Sequence, residues 1–145
     1  MGTLLGSLLT YTFQRLTSRR TEQFTRDERL RKERITIYST FAGAVLDLRL
    51  KHAAQWRLDQ DEPSDAQLVA EAKRAKDTSR TAAYQAFAQV MLVTDDERVV
   101  NLARHSLDLL SHLHSAASSE VLKTRTSALN KAVEEFIKIA SAYVR

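Results

Sequence analysis

At 145 residues, with three glycines, one proline and no cysteine, the chain has room for one domain and little material for hairpins, linkers or a sheet. The missing cysteine excludes disulfides, thiolate metal sites and a cysteine nucleophile. The net charge of +4 is confined to one place. Eight of the 22 bases and four of the 18 acids fall between residues 15 and 34, so that segment holds all the excess and the rest, with 14 of each, is neutral.

The chain opens on an uncharged stretch, residues 2–14, carrying Leu4, Leu5, Leu8, Leu9, Tyr11 and Phe13. Thirteen helical residues span roughly 20 Å, against about 30 Å for the hydrocarbon of a bilayer. No bases precede the run, and it flows straight into helix, which argues against a cleaved secretory signal. Two expectations remain: the head inserts shallowly, or further apolar residues precede it in the native gene. Gly2, Gly6 and Thr10 form a small-residue line suited to close helix contact in lipid.

The bases Arg15, Arg19, Arg20, Arg26, Arg29, Arg31, Lys32 and Arg34 follow directly. Lys and Arg beside an apolar end hold the flanking body on the cytoplasmic side of a bacterial membrane and attract anionic headgroups. Acids placed four residues ahead of bases, as in Glu22–Arg26 and Asp27–Arg31, also suit a solvated helix laced by local pairs. A third use of the same bases is contact with nucleic acid.

From Ile35 one side becomes apolar. Ile37, Phe41, Ala44, Leu48 and Lys51 alternate steps of four and three, widened by Tyr38, Val45, His52 and Trp56, and such a stripe must be buried. The acids around Asp59–Glu62 and the proline at 63 end this first helix, because Pro63 forces its predecessor from helical geometry. Ser64 with Gln67 then predicts a capping box. A second stripe of mostly small residues follows through Leu68, Ala72, Ala75, Ser79, Ala82, Ala86, Val90 and Val93. Thr94 to Glu97 predicts another cap, and a third helix carries Val99, Ala103, Ser106, Leu110, Leu113 and Ala117. After Ser118 a fourth places Leu122, Leu129, Phe136 and Tyr143 seven apart, interleaved with Thr126, Val133 and Ala140.

Short loops predict antiparallel neighbours. The expectation is an all-α, up-down-up-down four-helix bundle over residues 35–145, whose first helix extends as a basic stalk (15–34) and an apolar anchor (1–14).

Chemical signatures are sparse. No Glu has His three residues later, as a di-iron bundle requires, and His-Glu-x-x-His and a glycine-rich phosphate loop are both missing. His105, Asp108 and His112 have ligand-like spacing, but they lie opposite the apolar stripe, so a solvated face accounts for them. No enzyme and no cofactor is expected.

Three stretches together resemble a known family: Gly2-Thr-Leu-Leu-Gly-Ser-Leu-Leu-Thr-Tyr-Thr-Phe-Gln-Arg-Leu-Thr-Ser-Arg-Arg20, Phe24-Thr-Arg-Asp-Glu-Arg-Leu-Arg-Lys-Glu-Arg34 and Ile37-Tyr-Ser-Thr-Phe-Ala42. Continuing through Leu92-Val-Thr-Asp-Asp96, the chain is similar to small actinomycete proteins labelled KilB-like. That resemblance implies a membrane-associated protein of conjugative plasmids, without catalytic residues. The resulting expectation is a helical scaffold at the cell membrane with its bulk in the cytoplasm. Its partners would be anionic lipid and a second copy or another helical protein. The alternative is a soluble helical module that holds nucleic acid through the basic stalk.

Overall fold

The computed structural model describes residues 2–61 and 65–145, with the backbone alone for residues 2–8. The elements are α1 (Gly2–Gln60), α2 (Ala66–Val93), α3 (Glu97–Ser111), a 3-10 turn (Leu113–Ser115) and α4 (Ser119–Ser141), with no strand among the described residues. The chain divides into two units between Glu33 and Arg34. The first is helix throughout its described length. The second, from Arg34 onward, holds a helical bundle with one apolar core.

That core follows from the stripes. Phe41, Val45 and Leu48 of α1 are buried with Ala83, Ala86 and Val90 of α2, Val99, Ala103 and Leu110 of α3, and Leu129, Val133 and Phe136 of α4. Phe41 has no exposed surface, and its ring lies 5.0 Å from that of Phe136 and 6.2 Å from that of Phe87. Tyr38 adds an edge contact to Phe136 at 5.9 Å. The tilted and edge-on arrangements suit ring quadrupoles, and the large rings fit because α2 offers only alanines at 83 and 86.

The buried face of α2 is displaced from the expected stripe. Ala82 is exposed and Ala83 buried, Leu68 is half-exposed, and the inward series runs through Lys76, Ser79, Ala83, Ala86 and Val90. Alanines at both 82 and 83 leave the apolar pattern undecided, and the bundle selects the series that admits a lysine stem and a hydroxyl. Ser79 donates to the Asp47 carboxylate of α1 at 2.6 Å. The third helix is shorter than expected: α3 stops at Ser111, so Leu113 and Ala116 are buried while Ala117 is exposed. Arg125 of α4 holds this end, donating to the His112 carbonyl at 2.5 Å and to the Ser115 hydroxyl at 3.0 Å.

Two caps also move. Asp65 is the N-cap of α2, accepting from the Gln67 amide at 2.9 Å. The predicted cap Ser64 and the turn at Pro63 lie outside the described residues. Asp96 rather than Thr94 caps α3, accepting from the Arg98 amide at 2.7 Å, while the Thr94 hydroxyl accepts from the Asp96 amide. In each case a carboxylate stands next to the helix and makes the stronger, charge-assisted bond. Ser118 caps α4 as expected. Cross-ties complete the bundle. Arg34 donates to the Val93 carbonyl at 3.1 Å, Tyr143 donates to the Asp96 carboxylate, and the Trp56 indole donates to the Ala116 carbonyl at 2.9 Å.

His52 is only 2% exposed, its ring stacks on His114 at 6.1 Å, and its Nδ1 has no hydrogen-bond partner. Burial, with Lys76, Arg80 and His114 nearby, lowers its pKa from 6.5 to about 4. Lys76, itself buried, is lowered in turn by desolvation and by Arg80. The folded value lies below the unfolded one, so between pH 4 and 6.5 the unfolded chain holds the extra proton. His52 therefore contributes stability that is complete above pH 6.5 and lost as pH falls towards 4.

Urea unfolding checks this. The stability difference between the parent chain and His52→Leu should change by on the order of 3 kcal/mol between pH 7 and pH 4, in the direction of a less stable parent at acid pH. A difference that is flat with pH would contradict it. Phe41→Ala removes a fully enclosed ring and should cost about 3–5 kcal/mol at neutral pH.

Candidate functional site

The charge asymmetry and the apolar head both fall in the first unit. Its helix is continuous, and with threonine the only β-branched residue between Leu9 and Glu33 few side chains there lose χ1 freedom to it. The side chains of Leu4, Leu5 and Leu8 lie outside the described residues, although the helix runs through them. From Leu9 onward the side chains sort by helical periodicity into three sectors, each roughly 80° wide.

The first sector holds Arg15, Arg19, Arg26 and Arg29, all exposed. The second holds Leu9, Phe13, Leu16 and Phe24, which are between 59 and 76% exposed. The third holds Thr17, Thr21 and Thr25, each donating its hydroxyl to the carbonyl four residues back at 2.8–2.9 Å. Tyr11 is exposed as well and falls in register with the arginines. Glu22 and Glu33 also fall in register with the arginines, Arg20, Asp27 and Arg31 with the apolar sector, and Glu28 and Lys32 with the threonines. Four large apolar side chains in water form an unusual surface for a helix of this charge.

Glu28 pairs with Arg31 at 3.3 Å, one residue closer in sequence than the spacing anticipated, and both side chains keep a substantial exposed fraction, so the pair contributes little to stability. Arg34 differs from the other seven bases. It is half-buried and tied to the Val93 carbonyl at the end of α2, which places it in the bundle. Sequence spacing does not reveal this, because the partner is a carbonyl 59 residues away.

The spaced trio on α3 is solvent-facing. His105, Asp108 and His112 are all exposed, and the His112 ring nitrogen lies 2.7 Å from the Asp108 backbone carbonyl. Among the described residues no three His, Asp or Glu side chains converge as a metal-binding group. Likewise, no described helix is long and apolar enough to cross a membrane. What the segment offers chemically is a row of guanidinium groups beside a row of large apolar groups on one rod.

Comparison with curated proteins and with solved structures finds no match. The family model described as KilB plasmid transfer protein matches residues 35–144, which is nearly all of the bundle and well over half of the chain. The match takes in the stretches Ile37–Ala42 and Leu92–Asp96 and begins after Gly2–Arg20 and Phe24–Arg34, and the chain belongs to the KilB plasmid transfer protein family.

Proposed function

We propose that this chain is a non-enzymatic helical scaffold in plasmid transfer, attached to the cytoplasmic face of the cell membrane by its first unit. The observation that carries the reading is the coexistence, on one helix, of exposed Leu9, Phe13, Leu16 and Phe24 with exposed Arg15, Arg19, Arg26 and Arg29. An apolar sector beside a basic sector is the pattern of a helix that rests in the headgroup region, with its large side chains among acyl chains and its bases among phosphates. Membership of a plasmid transfer family supports the process. The body is an up-down-up-down bundle in this reading. Its support is that the residues just after α4 meet the N-cap of α3 through Tyr143 and Asp96, while the first half of α4 meets the end of α3 through Arg125 and His112.

The runner-up is a soluble module that grips nucleic acid through the same arginines. Phosphate binding needs the basic sector and leaves the exposed apolar sector without a role. Lipid uses both.

Co-sedimentation of the full chain with vesicles separates the two. Binding to phosphatidylglycerol vesicles and weak binding to phosphatidylcholine vesicles are expected. Changing Arg15, Arg19, Arg26 and Arg29 together to Gln should weaken binding by two to three orders of magnitude, at about 1 kcal/mol for each base. Serine at positions 9, 13, 16 and 24 should also release the protein. A chain that stays in the supernatant with anionic vesicles, yet binds duplex DNA with a steep salt dependence, would establish the other reading.

A further inference from the structure

Within the bundle, α1 and α4 border two hollows, which together form the two ends of a shallow groove along the α1–α4 seam. One end is apolar, walled by Ile35, Ala42, Ile137 and Val144, with a volume of about 360 Å³. The other, about 440 Å³, is floored by Leu50, Ala53 and Leu122 and rimmed by Arg49, Arg57 and Lys123. Steps of three and four along α1 (35, 39, 42, 46, 49, 53, 57) and back along α4 (144, 141, 137, 134, 130, 127, 123) put both ends on one face. The α1 wall is about 33 Å long, which is the length of a six-turn helix. Ile35, Leu50 and Ile137 are exposed large apolar residues along it.

Two features say what the groove accepts. Its basic end is lined by three cations and no acid. Arg49 is held by Asn130 at 2.5 Å, and Lys123 pairs with Glu120 at 3.2 Å in full exposure, a pair that gives way at little cost. Glu134 stands in register between the ends, one turn beyond Asn130. The second feature is Gly43, an exposed residue of α1 within the bundle, next in the chain to Ala42 of the apolar hollow. A Cβ there would meet nothing within 4 Å. Glycine inside a helix lowers helix stability, and no neighbour in this chain requires its small size. The vacant space above it allows another backbone to approach closely.

We propose that the α1–α4 groove docks an amphipathic helix of a partner protein, with an apolar seam throughout and acidic flanks at the end that lies over Arg49, Arg57 and Lys123. A second copy of this chain fits less well. A two-fold arrangement that crosses the groove end to end lays the basic end of one copy on the apolar end of the other, which supplies no acid. Nucleic acid suits the three cations but not the apolar floor between them or the apolar hollow at the far end. The inference goes beyond the scaffold role by naming the partner's chemistry, and it needs no lipid.

The test uses the full chain and a labelled 22-residue helical peptide, with leucines at alternating steps of three and four and glutamates flanking them over its last three turns. A control peptide carries lysine in place of those glutamates. The acidic peptide should bind with a Kd on the order of 10 µM, at least tenfold tighter than the control. Changing Arg49, Arg57 and Lys123 together to Gln should erase that preference. Gly43→Ala should raise the melting temperature of the free chain, while Gly43→Leu should keep the helical circular dichroism and lose peptide binding. Equal binding of the two peptides, or no binding of either at millimolar concentration, would overturn the proposal. So would a dimer in sedimentation equilibrium that Ile137→Asp converts to monomer, or displacement of the acidic peptide by duplex DNA.

Discussion

The second unit depends on the packing around Phe41. A ring with no exposed surface, meeting Phe87 of α2 and Phe136 of α4, requires three helices to be in place at once. Burying a side chain of that size is worth about 1.5–3 kcal/mol from solvent exclusion, and its edge contacts add to this. The alanines at 83 and 86 complement it, since larger groups there would push α2 away from the α1 stripe. Around this centre the polar ties at the helix ends fix register: Arg34 to Val93, Tyr143 to Asp96 and Trp56 to Ala116.

Much of this was legible in the residue pattern. The series through Tyr38, Phe41, Val45 and Leu48 and the one through Leu122, Leu129 and Phe136 are both buried, because each mixes bulky apolar residues with charged neighbours on the other faces. The pattern was less decisive where residue types do not discriminate. Ala82 and Ala83 are equivalent as letters, and only the fit against α1 separates them. Hydroxyl and carboxylate cap formers stand one or two residues apart before α2 and α3, so the cap shifted while the helix starts stayed nearly the same. His52 is buried where its place in the first stripe predicts, although its type favours water, whereas no spacing rule signals the burial of Lys76.

The candidate site shows a similar division. The eight bases and the apolar head were visible as a charge and hydropathy contrast, and seven of those bases are exposed on the first helix. The engagement of Arg34 and the joining of Arg49, Arg57 and Lys123 along one groove required the tertiary arrangement, since these residues come from distant parts of the chain. A bundle whose core is complete, yet which keeps Ile35, Leu50 and Ile137 outside it, separates the residues that stabilise the fold from those free to meet another molecule.

The threonines of the first unit bear on dehydration. A hydroxyl stripped of water ordinarily loses a hydrogen bond that nothing replaces, which makes polar surfaces costly to move into oily surroundings. The Thr17, Thr21 and Thr25 hydroxyls already donate to their own backbone, so their donor needs are met without solvent. That side of the rod can exchange water for hydrocarbon, or for the flank of another helix, while keeping the same internal bonds. Over the turns from Thr17 to Thr25, before Glu28 and Lys32 bring charge to the same side, its polarity is therefore largely nominal, and that part of the helix is better suited to a wet-to-dry boundary than its count of polar residues implies.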